Sequence, residues 1–328
     1  MCKNCSNFAA GMAKIGVFDS GYGGLTILDA IRRELPEYDY LYLGDNARAP
    51  YGTHSFDVIY RYTLEAVKYL LEQDCALIIL ACNTASAKAL RTIQQKDLLT
   101  INDERLAISG KPVNVLGVIR PTVEAVPGIT KTGHVGILAT PATVSSESYV
   151  LELEKIMEHR PASLPKGTIN ASRFSPDRTQ NTDRFTITQQ ACPMWVPLIE
   201  AGEHKEAGAD YFVEKYIREI LKKDPKIDTL VLGCTHYPLL KEKIERFADR
   251  IQTANTDRAQ TELPIQIIAQ GELVAKSLAD YLQRHPEYRE QLSTGGSCTY
   301  LTTENAERFA QSASQFLCSA IQAEHISF

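Results

Sequence analysis

The feature that most constrains this chain is an internal echo. Ile15-Gly-Val-Phe-Asp-Ser20 matches Val135-Gly-Ile-Leu-Ala-Thr140, and further along each half Leu80-Ala-Cys-Asn-Thr84 matches Leu232-Gly-Cys-Thr-His236. Short apolar runs closed by turn residues are the mark of buried parallel strands. Two such matches in the same order describe a duplicated unit. The fold class that follows is α/β: two pseudo-symmetric doubly wound domains with mostly parallel sheets and an active site in the cleft between them. In open α/β sheets ligands lie beyond the carboxyl ends of the strands, and Ser20, Cys82, Thr140 and Cys234 all fall there.

The remaining pattern fits that unit. After a first strand near Lys14, strands are expected at 40–43, 76–81, 113–118, 134–139, 229–232 and 265–268. Helical spacing is expected at 56–71, 85–95, 145–158, 205–222, 239–247, 271–282 and 303–318. With 328 residues and 44% hydrophobic content the chain can bury two cores. The domain reading is a flexible extension over 1–13, a first domain over 14–115 and 258–328, and a second over 116–257. The second carries a long insertion around 159–190, whose Pro, Ser, Asn and Asp content reads as a surface excursion.

Composition narrows the partner. The net charge of -5, from 40 acidic and 35 basic residues, gives no basic face for nucleic acid. The apolar run at 75–82 is too short to span a bilayer. Eight cysteines, with no charged and apolar leader, point to reduced thiols in a cytoplasm. Cys2 and Cys5 form a lone C-x-x-C without the second pair that a structural zinc site needs.

A cysteine that closes a strand and opens a helix meets the positive end of the helix dipole, which lowers a thiol pKa. Two such cysteines facing one cleft leave three chemistries open: a disulfide couple, a metal site drawing on Cys82, Cys234, His236 and Asp19, or proton transfer on opposite faces of one carbon. The first lacks a C-x-x-C at either site, the second lacks the familiar zinc spacings, and the third uses the symmetry itself. Asp19 is placed to assist Cys82 and His236 to assist Cys234, although each also reads as a helix cap. The glycine cluster 20–24 lacks the G-x-G-x-x-G spacing, because Thr26 stands where the last glycine belongs. A tight turn that brings backbone N–H groups to a small anion is the better account. Asn83, Thr84, Thr140, Thr143 and Thr235 add neutral hydrogen-bonding groups, an inventory that suits a small zwitterion.

The stretches IGVFDSGYGGLTIL, YLGDNARAPYG, ILACNTASA, LGVIRPTVEA, VGILATPATVSS, ACPMWVPLIEAGE and LVLGCTHYPLL run from Ile15 to Leu240, with a weaker echo in QGELVA from Gln270. Together they resemble the cofactor-independent aspartate/glutamate racemase family, and within it the glutamate racemases that supply D-glutamate for peptidoglycan. The resemblance implies Cys82 and Cys234 as catalytic bases, on D-glutamate and L-glutamate respectively, with Asp19, Glu200 and His236 as helpers. It implies substrate contacts from Asp19, Ser20, Pro50, Tyr51, Gly52, Asn83, Thr84, Thr140, Thr143, Thr235 and His236. Glu200 and the turn at 50–52 rest on the resemblance alone. No cofactor or metal is implied; the partner is glutamate, with a homodimer and an allosteric effector left open. Two departures stand out: the insertion is about twenty residues longer than in the family, and Arg120 occupies a position expected to be acidic.

Overall fold

The computed structural model describes residues 13–109, 111–158, 185–254, 263–317 and 319–328. Cys2, Cys5 and residues 159–184 of the insertion lie outside the described residues. In chain order the strands are β1 (Lys14–Asp19), β2 (Tyr40–Gly44), β3 (Cys75–Leu80), β4 (Asn114–Gly117), β5 (His134–Ala139), β6 (Thr186–Ala191), β7 (Thr229–Gly233), β8 (Gln266–Ile268), β9 (Cys298–Thr302) and β10 (Glu324–His325). They form two sheets, ordered β10-β9-β2-β1-β3-β4 and β6-β5-β7-β8, and every pairing is parallel.

The block β2-β1-β3-β4 recurs as β6-β5-β7-β8, which is the duplication expected from the sequence. Register repeats with it. Phe18 pairs with Leu80 in the first sheet and Leu138 with Leu232 in the second, at equivalent positions of the echoed motifs. The residues two places further on are therefore equivalent too: Ser20 and Cys82 in one half, Thr140 and Cys234 in the other. In each half the order reverses between these two strands, and that is where such sheets bind ligands.

Alternation along each central strand feeds a core on both faces. Ile15 and Val17 pack with Leu25, Leu28 and Ile31 of the helix Gly24–Glu34, while Phe18 points to the other face with Ile59, Val67 and Leu70 of the helix Phe56–Glu72. In the second sheet Leu138 meets Val213, Ile217 and Ile220 of the helix Ala207–Lys223, and Ile137 faces the opposite layer.

Three boundaries differ from expectation. β8 lies beyond residue 257, yet it pairs with β7, so the chain leaves the second sheet only after Ile268. The polar stretch before β8 resembles a domain return in composition, but a strand follows it. Ala13, assigned to the flexible extension, is held by a bridge to Leu292 and an N–H donated to the Gln291 carbonyl at 2.7 Å. The last part of the insertion, from Thr186, is β6, an edge strand whose Thr and Gln residues carry no apolar alternation. Strands β9 and β10, which extend the first sheet beyond β2, were not anticipated at all.

The two halves are joined by a buried amide. Gln270, which precedes the helix Gly271–Arg284, donates from Nε2 to the Val118 carbonyl (3.2 Å), Thr122 Oγ1 (2.9 Å) and Tyr149 Oη (3.0 Å), and accepts from Asn83 Nδ2 (2.6 Å). Tyr149 passes its hydroxyl proton to Asn83 Oδ1 at 2.7 Å. Removing this hub leaves buried donors and acceptors without partners, which costs more than the bonds themselves contribute. Gln270→Ala is expected to destabilise the fold by about 2 kcal/mol, read as a lower urea midpoint with an unchanged slope.

Candidate active site

β1 delivers Asp19 and Ser20 to one end of the first sheet, and β3 delivers Cys82 beside them. Cys82 is the N-cap of the short helix Asn83–Lys88; its Sγ accepts from the Ala85 N–H at 3.4 Å and lies 3.3 Å from Ser20 Oγ. The capping contact is the one expected, but the lowered pKa is not. Burial pushes the Cys82 thiol up to about 12, the Asp19 charge adds to the rise, and the hydrogen bonds from Ser20 and Ala85 only oppose it. A six-residue helix offering one N–H does not outweigh the loss of water around the sulfur.

Cys234 follows β7 directly. Here the chain does not enter an α-helix at once: a 3-10 turn, Tyr237–Leu240, precedes the helix Lys241–Ala254. In place of a helix terminus the sulfur has a histidine, with His236 Nδ1 at 3.8 Å. The other ring nitrogen, Nε2, lies 3.1 Å from Oε1 of Glu200, the last residue of the helix Trp195–Glu200. Burial works against a charge on this ring, but the hydrogen bonds to Cys234 and Glu200 win and hold His236 up at about 10.

Asp19 sits between the two thiol sites. Its Oδ2 accepts from the Gly21 N–H at 3.0 Å, and Gly24 N–H also serves the carboxylate. Two N–H groups of the glycine cluster, those of Gly21 and Gly24, are thus taken by the protein's own carboxylate in place of an outside anion. Oδ1 is buried and has no hydrogen-bond partner among the described residues. Burial raises the Asp19 pKa, and the charge of His236 pulls it back.

Gly23 explains why the cluster must be glycine. A Cβ there would stand 2.4 Å from both His236 Nδ1 and Thr235 Oγ1, so only a bare Cα lets the first helix meet the second half. Thr26 Oγ1 secures the same junction by donating to the Thr235 carbonyl at 3.0 Å.

The remaining residues divide. Thr84 Oγ1 lies 3.1 Å from Thr140 Oγ1, and Thr140 caps the helix Pro141–Ser145 beside Thr143. Gly52 comes up against the Thr140 side chain, where an added Cβ would sit at 3.2 Å. Asp19, Ser20, Cys82, Thr84, Gly52, Thr140, Thr143, Cys234, Thr235, His236 and Glu200 are thereby gathered around one junction. Asn83 is anchored at both ends of its amide, donating to Gln270 and accepting from Tyr149. Tyr51 is buried and gives its hydroxyl proton to Asp45, while Pro50 is exposed. Asp45 in turn accepts from Arg48 at 2.6 Å. Tyr149, Gln270 and Asp45 were not singled out for the site, although the echo at Gln270 could have pointed to one of them. Among the described residues, five cysteines including Cys82 and Cys234 are free thiols, and no three His, Cys, Asp or Glu side chains are grouped to hold a metal ion.

The electrostatics of His236 give a measurable outcome. Its value in the fold is raised above that of an unfolded histidine, so the stability it contributes is complete below pH ~6.5 and is lost as pH rises through about 10. An NMR titration of the His236 ring is expected to show no change through neutral pH, and Glu200→Gln should move its midpoint down towards the ordinary range.

The sequence model of the Asp/Glu/Hydantoin racemase family matches residues 24–254. A curated glutamate racemase of Ruegeria sp. is 37% identical over 313 residues, covering 92% of this chain and 96% of that protein. The solved glutamate racemase of Francisella tularensis in complex with D-glutamate superposes with a TM-score of 0.71 at 28% identity, over 96% of this chain and 98% of that one. The Escherichia coli glutamate racemase, solved with L-glutamate and the activator UDP-MurNAc-Ala, gives 0.62 at 25% identity, over 95% and 97%. Two sheets of the same parallel order, a cysteine at the equivalent edge of each, and relatives matching nearly end to end lead to one conclusion: the chain belongs to the Asp/Glu/hydantoin racemase family, as an amino-acid racemase of the glutamate racemase kind.

Proposed function

We propose that this protein interconverts L- and D-glutamate by proton transfer between Cys82 and Cys234 on opposite faces of the α-carbon, and that the D-glutamate supplies peptidoglycan synthesis in the cytoplasm. The observation that carries the reading is the equivalent register of the two thiols, each two residues beyond a matched strand pair. From L-glutamate, a Cys234 thiolate facing the His236 imidazolium takes the α-proton, and the Cys82 thiol donates its own proton to the opposite face. From D-glutamate the roles reverse. Asp19 Oδ1, the buried acceptor without a partner, suits the substrate ammonium. That ammonium also brings positive charge to Cys82, offsetting the burial and the Asp19 charge that hold its proton on.

Cys82→Ser and Cys234→Ser should each lower racemisation by roughly 10²–10⁴-fold, with unchanged far-UV circular dichroism. One single mutant that turns over both enantiomers at near-normal rates would remove the two-base account. L-glutamate is expected to racemise faster than L-aspartate and to take up solvent deuterium at its α-carbon. Equal turnover of aspartate would overturn the substrate, and absence of exchange would leave an amino-acid-binding protein with no chemistry.

An anionic effector is part of the proposal. A cavity of about 700 Å³ adjoins the helix Asn83–Lys88; Arg91, Arg120, Lys155 and Arg284 line it together with Glu124 and Glu152, which pair with Arg120 and Lys155 and leave the lining net positive. This is where Arg120, unexpected in the sequence, finds a use. UDP-MurNAc-Ala, the activator bound by the Escherichia coli relative, is expected to raise the rate. Arg120→Glu should weaken that activation and leave the basal rate unchanged. No response of the wild-type protein to the compound would remove the effector.

A further inference from the structure

The hydrogen bonds of His236 lie at its two nitrogens, with Cys234 Sγ 3.8 Å from Nδ1 and Glu200 Oε1 3.1 Å from Nε2. With the bond to Cβ these contacts set the mean plane of the ring, but the long sulfur contact opposes a small tilt only weakly. A tilt turns the Nδ1–H away from the sulfur, and hydrogen bonds weaken steeply with such misalignment.

A further restraint comes from the other half of the molecule. Phe316, near the end of the helix Ala306–Leu317, lies 5.7 Å from the His236 ring at an interplanar angle of 88°. A perpendicular ring at that distance blocks the tilt, and an aromatic ring within about 6 Å of an imidazolium also attracts its charge. Phe316 is itself fixed by a stack. Tyr22 lies against it at 5.9 Å and 16°, and Phe309, fully buried, backs Tyr22 at 5.4 Å and 20°. Tyr22 is also anchored by its hydroxyl, which donates to Glu304. The rings run from the core of the first half to the histidine of the second, and Phe316 packs against the cores of both.

We propose that Phe316 is a positioning residue that sets the plane of His236 against Cys234, carried there by the Phe309–Tyr22 stack. The inference rests on the reading of Cys234 and His236 as the pair acting on L-glutamate. The charged and titratable groups facing His236 are Cys234, Glu200 and Asp19, and none of them supplies a restraint perpendicular to the ring.

The test uses Phe316→Leu, which keeps an apolar side chain and removes the ring, and Phe316→Tyr, which keeps the ring. Phe316→Leu is expected to lower kcat/KM by roughly tenfold. Its kinetic isotope effect should rise with α-deuterated L-glutamate and fall with α-deuterated D-glutamate, because a slower Cys234 step limits the rate more in both directions and only the first substrate carries its label on that step. Phe316→Tyr should restore both rate and isotope effect. A Phe316→Leu protein with wild-type rates overturns the proposal, and so does one whose isotope effects change alike for both enantiomers, the sign of a general loosening. A wild-type protein that does not exchange the α-proton of L-glutamate would instead defeat the underlying reading, before any variant is made.

Discussion

The cleft depends on how closely two sheet ends approach, and Gly23 sets that distance. With its bare Cα against His236 and Thr235, the N-terminus of the first helix enters the second half, bringing Asp19 to where its charge acts on both Cys82 and His236. One methyl group at this position would part the halves or displace the histidine from its sulfur. The buried amide of Gln270 works to the same end through Asn83, the first residue of the helix that Cys82 caps. Close approach at one edge and a satisfied polar hub at another hold the duplicated units at a single separation.

Duplication gives the two thiols one geometry and two environments. Cys82 has a hydroxyl and a backbone N–H, both weak partners, and burial dominates its protonation. Cys234 has a histidine, and behind it a carboxylate. A backbone repeated with different neighbours thus gives the two sulfurs unlike surroundings at equivalent positions, which suits the proposed two-sided proton transfer.

Much of this was legible in the sequence, and the limits have physical causes. The echoed strands were readable because a strand buried on both faces must be apolar throughout, so its end is marked by the first polar residue: Asp19, Asn83, Thr140, Thr235. Strands at the margins carry no such mark. β6 is half exposed and polar, β9 mixes polar and apolar residues in Cys-Thr-Tyr-Leu-Thr, and β10 has two residues, so their pairing depends on a partner distant in sequence. Within the site, Asp19 and His236 could be placed from strand topology alone. Tyr149, Gln270 and Phe316 act through contacts made across 66 to 187 residues, and no local spacing announces them. The Cys82 thiol was misjudged for a related reason: helix position is visible in a sequence, but the loss of solvent at that position is not.

The unlike surroundings of the two thiols meet a limit that lies outside the protein. Mirror-image amino acids have equal free energies in water, so the equilibrium constant between them is one. The ratio kcat/KM must therefore be the same in both directions, however differently Cys82 and Cys234 are solvated. What the asymmetry of the site can do is divide that common ratio differently, letting one enantiomer bind more tightly and turn over more slowly. On the proposed mechanism, the histidine on one side and the serine on the other govern which enantiomer saturates the protein first, and leave its preference between them, at low concentration, at zero.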